Sequence, residues 1–227
     1  MNKNLLNKQP IILINCIKEY MNKSPYPIIP DFMVDVVDVK PDGSCQFRAL
    51  ANNINHFKNV PDKQLSIARD MYRMVKHVIV HVLPSLTNKQ LIEDFKFEEI
   101  NLDTSPLENI NNLIFEHHSG NISDLDEYFS DFKYGVYTTN LELRVLLSNY
   151  LDEYWINTFG VPSPCVSVYL NNKGSFNEIS CINADKLNVI NFRLFYINNN
   201  HYQSIYIKPE YFDQFNNTIL QNSCKMT

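Results

Sequence analysis

The sequence predicts an α+β protein, with helices in the middle of the chain and strands concentrated towards its end. Disorder is excluded, because 44% of the residues are hydrophobic and 12% are aromatic. Apolar residues recur with helical spacing from residue 45 to residue 151, and alternation typical of strands follows from residue 166 to residue 208. A chain of 227 residues buries enough surface to fold without disulfides or a metal.

Local signals predict the individual elements in chain order. A strand over residues 33–39 is followed by a turn at residues 41–43, where Pro-Asp-Gly occurs. Helices begin at Cys45 and near Asp62, and the second ends at Pro84. Three later helix starts are predicted by capping boxes, in which a hydroxyl residue precedes Glu or Gln by three positions: Thr87 with Gln90, Ser105 with Glu108, and Thr139 with Glu142. Strands are predicted over residues 166–170, 189–197 and 204–208, with a hairpin turn at residues 198–200.

Charge and composition narrow the class of function. A net charge of −5 argues against sequence-independent binding of nucleic acid, which needs a basic face. No apolar run approaches the ~18 residues of a membrane span, and no signal-peptide cleavage site follows the apolar N-terminal stretch. Five cysteines without paired spacing suit a reducing compartment. We therefore expect a monomeric cytoplasmic protein that binds neither nucleic acid nor membrane.

The segment Asp-Gly-Ser-Cys at residues 42–45 joins the predicted turn to the first helix and indicates a thiol nucleophile. A Cys at a helix N-terminus lies beside unpaired N–H groups and the positive end of the helix dipole, which lower the thiol pKa below about 8.5. The same N–H groups can receive an oxyanion, and Gly43 lets a substrate approach closely. His201, at or just before a predicted strand, is the best-placed base, and an early Cys with a late His is typical of thiol proteases.

Each of these residue types also has a more ordinary interpretation. A single Cys is more often a small buried side chain than a nucleophile, and an Asp in a turn is more often only a turn residue. His77 and His81 lie four apart on a helix but lack the Glu of a zinc motif, so no metal site is expected. The other four cysteines are given the ordinary structural interpretation: Cys16, Cys165, Cys181 and Cys224.

Residues 34–49, with the sequence Val-Asp-Val-Val-Asp-Val-Lys-Pro-Asp-Gly-Ser-Cys-Gln-Phe-Arg-Ala, resemble the active-site segment of the OTU (ovarian tumour) cysteine proteases. The signature of that family is a strand followed by Asp-Gly-x-Cys-x-Phe-Arg-Ala at a helix start. Tyr134-Gly135, followed by Leu-Glu-Leu at residues 141–143, resembles the family's Trp-Gly and Glu-Leu segments, with Tyr in place of Trp. Asn-His-Tyr-Gln-Ser at residues 200–204 resembles its terminal His-Tyr-x-Ser strand. The resemblance covers residues 31–208.

This resemblance implies an OTU-like, papain-type cysteine protease fold, with a small, mostly antiparallel sheet flanked by helices. The catalytic domain would span residues 31–212, between an N-terminal helical extension with a proline-rich linker (1–30) and a C-terminal tail (213–227). The implied function is that of a deubiquitinase, which hydrolyses the isopeptide or peptide bond after the C-terminal Gly-Gly of ubiquitin or polyubiquitin without a cofactor. A compact domain of Asn-rich composition fits a viral or parasite source, whose protein would act in the host cytoplasm.

The motif positions imply a role for each site residue. Cys45 would be the nucleophile, His201 the general base and acid, and Asp42 the residue that fixes the turn of the oxyanion hole. The family often has Asp or Asn two residues after the His, where this chain has Gln203. A Gln carbonyl can accept the ring N–H but carries no charge to stabilise the imidazolium. Two alternatives therefore stay open: a catalytically weak ubiquitin-binding module, and a thiol hydrolase of a ubiquitin-like modifier or another acyl substrate.

Overall fold

The structure is a computed structural model, and it describes residues 28–59, 64–118, 139–171, 174–183, 190–197 and 201–212. The chain divides into two compact units. The sheet unit comprises the described residues of Met1–Asp38 and Pro164–Thr227, and the helical unit comprises those of Val39–Ser163. The predicted α+β class is confirmed, because these residues form six helices and one six-stranded mixed sheet. The predicted N-terminal helix, the turn at residues 198–200 and the tail at residues 213–227 lie outside the described residues.

The helical unit begins with α1 (Cys45–Lys58), which starts at the predicted residue and carries the predicted apolar face inwards. The next helix, α2 (Gln64–His77), continues into a π-helical turn at Val78–Val82 and a 3-10 turn at Leu83–Ser85. The helical backbone therefore ends beside Pro84, as predicted, since proline cannot continue a helix. None of the described helices is long and apolar enough to cross a bilayer.

Four further helices complete the described part of this unit: α3 (Asn88–Phe95), α4 (Pro106–His118), α5 (Asn140–Leu146) and α6 (Asp152–Tyr154). Two of the three predicted capping boxes are complete, with both reciprocal hydrogen bonds present at Thr87 and at Thr139. The third is half formed, since the N–H of Glu108 donates to the hydroxyl of Ser105 at 3.3 Å. Local capping rules thus locate these helix starts correctly.

The sheet unit contains six strands in the spatial order β1-β4-β3-β5-β6-β2. Every pairing is antiparallel except that of β3 with β5, as predicted for a mostly antiparallel sheet. Four strands match predicted ones, whereas β1 and β4 were not predicted. The strand bounds are β1 Ile28–Pro30, β2 Val34–Val37, β3 Cys165–Asn171, β4 Ser175–Ile182, β5 Asn191–Ile197 and β6 His201–Ile207.

A hydrophobic cluster fixes the first strands against the later ones. Its buried members come from β1, β2, β3, β4 and β6 and from the short turn between β1 and β2: Ile29, Met33, Val34, Tyr169, Phe176, Ile205 and Ile207. Because side chains alternate along a strand, burying Val34 opposite Ile207 specifies the register of β2 on β6. The same register pairs Val37 with Ser204, so the residue after β2 lies at the His201 end of β6.

Candidate active site

Cys45 is the first residue of α1, and its side chain is buried in the helical unit. The turn before it is closed twice by Asp42. The N–H of Cys45 donates to the Asp42 carbonyl at 3.0 Å, and the N–H of Ser44 donates to the Asp42 carboxylate at 3.1 Å. The N–H of Cys45 is thus already used within the turn. For the neighbouring N–H groups of Gly43 and Gln46, no acceptor is found among the described residues, which leaves both able to donate to an oxyanion.

Asp42 is held by Arg48, one turn into α1. Nε of Arg48 donates to one carboxylate oxygen of Asp42 at 3.2 Å, and Nη2 donates to the other at 2.9 Å. Both side chains are buried, so each charge compensates the other where water is excluded. This forked pair fixes the turn to the helix that carries Cys45. Arg48 belongs to the sequence motif, but its ion pair with Asp42 was not predicted. The available signal was that the two residues lie six positions apart, on either side of the turn.

The start of α1 is also tied to the start of α5. The side chain of Gln46 is fully buried, and its Nε2 donates to the carbonyl of Thr139 at 3.3 Å. Thr139 caps α5, where the buried carboxylate of Glu142 accepts from both the N–H and the hydroxyl of Thr139. The Leu-Glu-Leu segment that resembles the family is therefore connected to the residue after Cys45. Tyr134 and Gly135, the other part of that motif, lie outside the described residues.

His201 is the first residue of β6 and belongs to the sheet unit. Its Nε2 lies 3.1 Å from a carboxylate oxygen of Asp38, the residue after β2. A carboxylate only accepts hydrogen bonds, so the neutral imidazole carries its proton on Nε2 and leaves the lone pair on Nδ1. Nδ1 is buried, and it has no hydrogen-bond partner among the described residues. The imidazole is thus oriented through one nitrogen and able to accept a proton at the other.

The sequence left open whether Gln203 or another group orients the imidazole, and in the structure Gln203 bonds to Asp38 instead of to the ring. Its side-chain amide donates to Asp38 at 2.6 Å, on the same carboxylate oxygen that faces His201. The described structure contains no hydrogen bond between Gln203 and His201. Residues 201 and 203 share one face of β6. When the β2–β6 register is continued by one residue, Asp38 lies across from Gln203 on that same face. Gln203 therefore holds the carboxylate, and Asp38 is the group that contacts the ring.

Asp38 is the site residue that sequence reasoning missed. Asp38 and His201 lie 163 positions apart in the chain, and only the pairing of β2 with β6 brings them together. The available signal was an Asp immediately after a predicted strand, four positions before Asp42. Local inspection around His201 finds only Gln203 at the expected spacing.

The other candidate residues have different outcomes. Cys165 and Cys181, interpreted from sequence as independent structural cysteines, lie on neighbouring strands with their sulfur atoms 3.1 Å apart. The rings of His77 and His81 lie 5.4 Å apart between centroids. No group of three or more metal-binding side chains occurs in the part of the chain that the structure describes. Cys16 and Cys224 lie outside it.

Comparison with protein-family models and with curated proteins finds no match to this chain.

Proposed function

We propose that the protein is a cysteine-type hydrolase in which Cys45 is the nucleophile and His201 the general base and acid. The observation that carries this proposal is the state of the imidazole: Nε2 is held by Asp38, and Nδ1 is buried with no partner in the described structure. A base with that orientation can take a thiol proton on Nδ1 while the carboxylate stabilises the positive charge that develops.

The reaction proceeds in two acyl-transfer steps. The Cys45 thiolate attacks the carbonyl carbon of the scissile amide, and His201 returns its proton to the leaving amine as the carbon–nitrogen bond breaks. Water then attacks the resulting thioester with His201 again as base, which releases the carboxylic acid and restores the thiol. The turn fixed by Asp42 and Arg48 supports the position of Cys45 throughout. None of these steps requires a cofactor.

Asp38 bears on the alternative of a catalytically weak binding module. That alternative was favoured by Gln203, because a neutral amide cannot stabilise an imidazolium by charge. The carboxylate of Asp38 supplies this charge, and the amide of Gln203 holds the carboxylate by a hydrogen bond. The feature that favoured a binding module is therefore accounted for within an active hydrolase.

The substrate class in this proposal comes from the resemblance of residues 34–49 to the OTU cysteine proteases. We accordingly propose ubiquitin or polyubiquitin as substrate, with cleavage after its C-terminal Gly-Gly, and an OTU-like fold in which helices flank the sheet. Cytoplasmic localisation and a viral or parasite source belong to the same proposal. The mixed, mostly antiparallel sheet and the helix that starts at Cys45 are compatible with it.

The test is covalent capture by ubiquitin that carries a C-terminal electrophile, weighed as intact protein. We expect one adduct that maps to Cys45 and is absent from Cys45→Ala. The variant Cys181→Ala is the matched control, since it removes a different thiol and should retain the adduct. Parallel reactions with electrophiles built on ubiquitin-like modifiers identify the modifier. Folded protein that forms no adduct with any of them, or an adduct at another cysteine, would contradict the proposal.

A further inference from the structure

Cys165 and Cys181 form a pair of thiols across neighbouring strands of the sheet unit. Cys165 begins β3, and Cys181 lies near the end of β4. Ser167 is directly opposite Cys181 in the antiparallel register, which makes Cys165 the diagonal neighbour of Cys181. Their sulfur atoms are 3.1 Å apart, and neither cysteine is in a disulfide in the structure. The two residues thus meet through strand pairing, although they lie 16 positions apart in the chain.

The two thiols differ in their surroundings. Cys165 is buried, whereas Cys181 is half-buried and accepts a hydrogen bond from the hydroxyl of Ser167 at 3.6 Å. The hydrogen bond with Cys181, together with burial, raises the pKa of the Cys165 thiol, while the charge of Arg193 on β5 acts in the opposite direction. An oxidant from solvent therefore reaches Cys181 first, and Cys165 lies behind it as a protonated thiol.

We propose that Cys165 and Cys181 are an oxidation site that forms a reversible intramolecular disulfide when the protein meets a hydroperoxide. The Cys181 sulfur attacks one peroxide oxygen and breaks the O–O bond, which gives a sulfenic acid and, with hydrogen peroxide, one water. The Cys165 sulfur then attacks the Cys181 sulfur, forms the S–S bond and displaces the hydroxyl as a second water. Two thiols are oxidised and one peroxide is reduced.

The positions of Cys165 and Cys181 allow the disulfide to form with only a small structural change. A disulfide has an S–S length of about 2.05 Å, so the sulfurs must approach by roughly 1 Å. Cys165 is the first residue of its strand, and β4 ends one residue after Cys181, at Ile182. The cysteines therefore lie at strand ends, where a local shift disturbs few ladder hydrogen bonds. This inference does not depend on the proposed hydrolase activity, since Cys45 belongs to the helical unit.

The test is peptide mapping of the full-length protein after limited treatment with hydrogen peroxide and alkylation of the remaining thiols. Trypsin cleaves after Lys173, which separates the Cys165 peptide (residues 145–173) from the Cys181 peptide (174–186). We expect these two peptides to be joined, with a mass about 2 Da below the sum of the separate peptides, and dithiothreitol to release them. The link should be absent from Cys181→Ser and retained in Cys45→Ser.

A denatured sample distinguishes native proximity from random pairing. In urea the rate of formation of this link should fall by roughly tenfold or more, because the strands no longer hold the sulfurs together. The proposal is overturned if the link forms equally fast in urea. It is also overturned if Cys165 and Cys181 are recovered as separately alkylated thiols while other cysteines are oxidised. If Cys181→Ser does not fold, the comparison of native with denatured wild-type protein decides the question.

Discussion

Asp38→Ala removes the carboxylate that contacts Nε2 of His201 and leaves both Cys45 and the imidazole in place. In the proposed reaction the ring becomes positively charged when it takes the thiol proton, and Asp38 stabilises that charge. Without Asp38 the ring loses this stabilisation and the acceptor that keeps its proton on Nε2. We expect kcat to fall and KM to change little, because no substrate contact is assigned to this carboxylate.

The size of the effect follows from the exposure of the two partners. A hydrogen bond to a charged group contributes about 1.5–3 kcal/mol. The Asp38 side chain is 72% exposed whereas that of His201 is 15% exposed, so water screens one partner and the lower value applies. A loss of about 1.5 kcal/mol corresponds to a roughly tenfold decrease in kcat. Gln203→Ala removes only a donor to Asp38 and should decrease kcat by about two- to fivefold, far less than Cys45→Ala, which removes the nucleophile.

The assay is release of a fluorophore from the C-terminus of ubiquitin, with kcat and KM measured separately. Asp35→Ala is the matched control, because Asp35 lies on β2, three residues before Asp38, with an exposed carboxylate 4.0 Å from Nζ of Lys208. It removes the same charge without touching the imidazole. If folded Asp38→Ala keeps the kcat of Asp35→Ala within about twofold, the assignment of Asp38 to His201 is refuted.

Two further predictions concern stability, and urea unfolding measures both. Asp42→Asn leaves Arg48 buried without a carboxylate partner, so the free energy of unfolding should fall by about 3 kcal/mol. The control is Asp103→Asn, at an exposed carboxylate. If both variants lose the same amount of stability, the buried Asp42–Arg48 pair does not stabilise the fold. Burial raises the pKa of Glu178 above its ordinary value of 4.5. The contribution of protonated Glu178 to the free energy of unfolding is therefore complete below pH 4.5 and is lost as the pH rises through the folded-state pKa. Because Gln cannot ionise, the free energy of unfolding of Glu178→Gln should decrease less than that of the wild type over the same increase in pH. If the two proteins show the same dependence of stability on pH, the effect assigned to Glu178 is disproved.

Local rules were sufficient for the helical part of the sequence. The start of α1 at Cys45 and the capping boxes at Thr87 and Thr139 depend on residues within four positions of each other. Such signals are readable without tertiary structure. The same holds for the turn at Asp42, where the hydrogen bonds that the N–H groups of Ser44 and Cys45 donate to Asp42 lie within three positions.

Features that depend on strand pairing were not readable in this way. β4 was missed because its alternation is interrupted by Glu178, a buried ionisable residue that lies opposite Tyr169 on the neighbouring strand β3 and feels the charge of Arg193 on β5. Asp38 was seen only as a polar residue of a strand, since nothing in the local sequence indicates that β2 pairs with β6. The Cys165–Cys181 contact was hidden for the same reason.

The pairing of β2 with β6 makes the candidate site sensitive to insertions and deletions rather than only to substitutions. With Val34 kept opposite Ile207, removing one residue from β2 would bring Val39 opposite Gln203, and adding one would bring Val37 there. Either change would turn Asp38 towards the other face of the sheet. Every candidate catalytic side chain would still be present in such a variant. The number of residues between the buried Val34 and Asp38 must therefore stay fixed. The apolar contacts of Val34 set the register that lets Asp38 form its hydrogen bond with the imidazole of His201, 163 positions away in the chain.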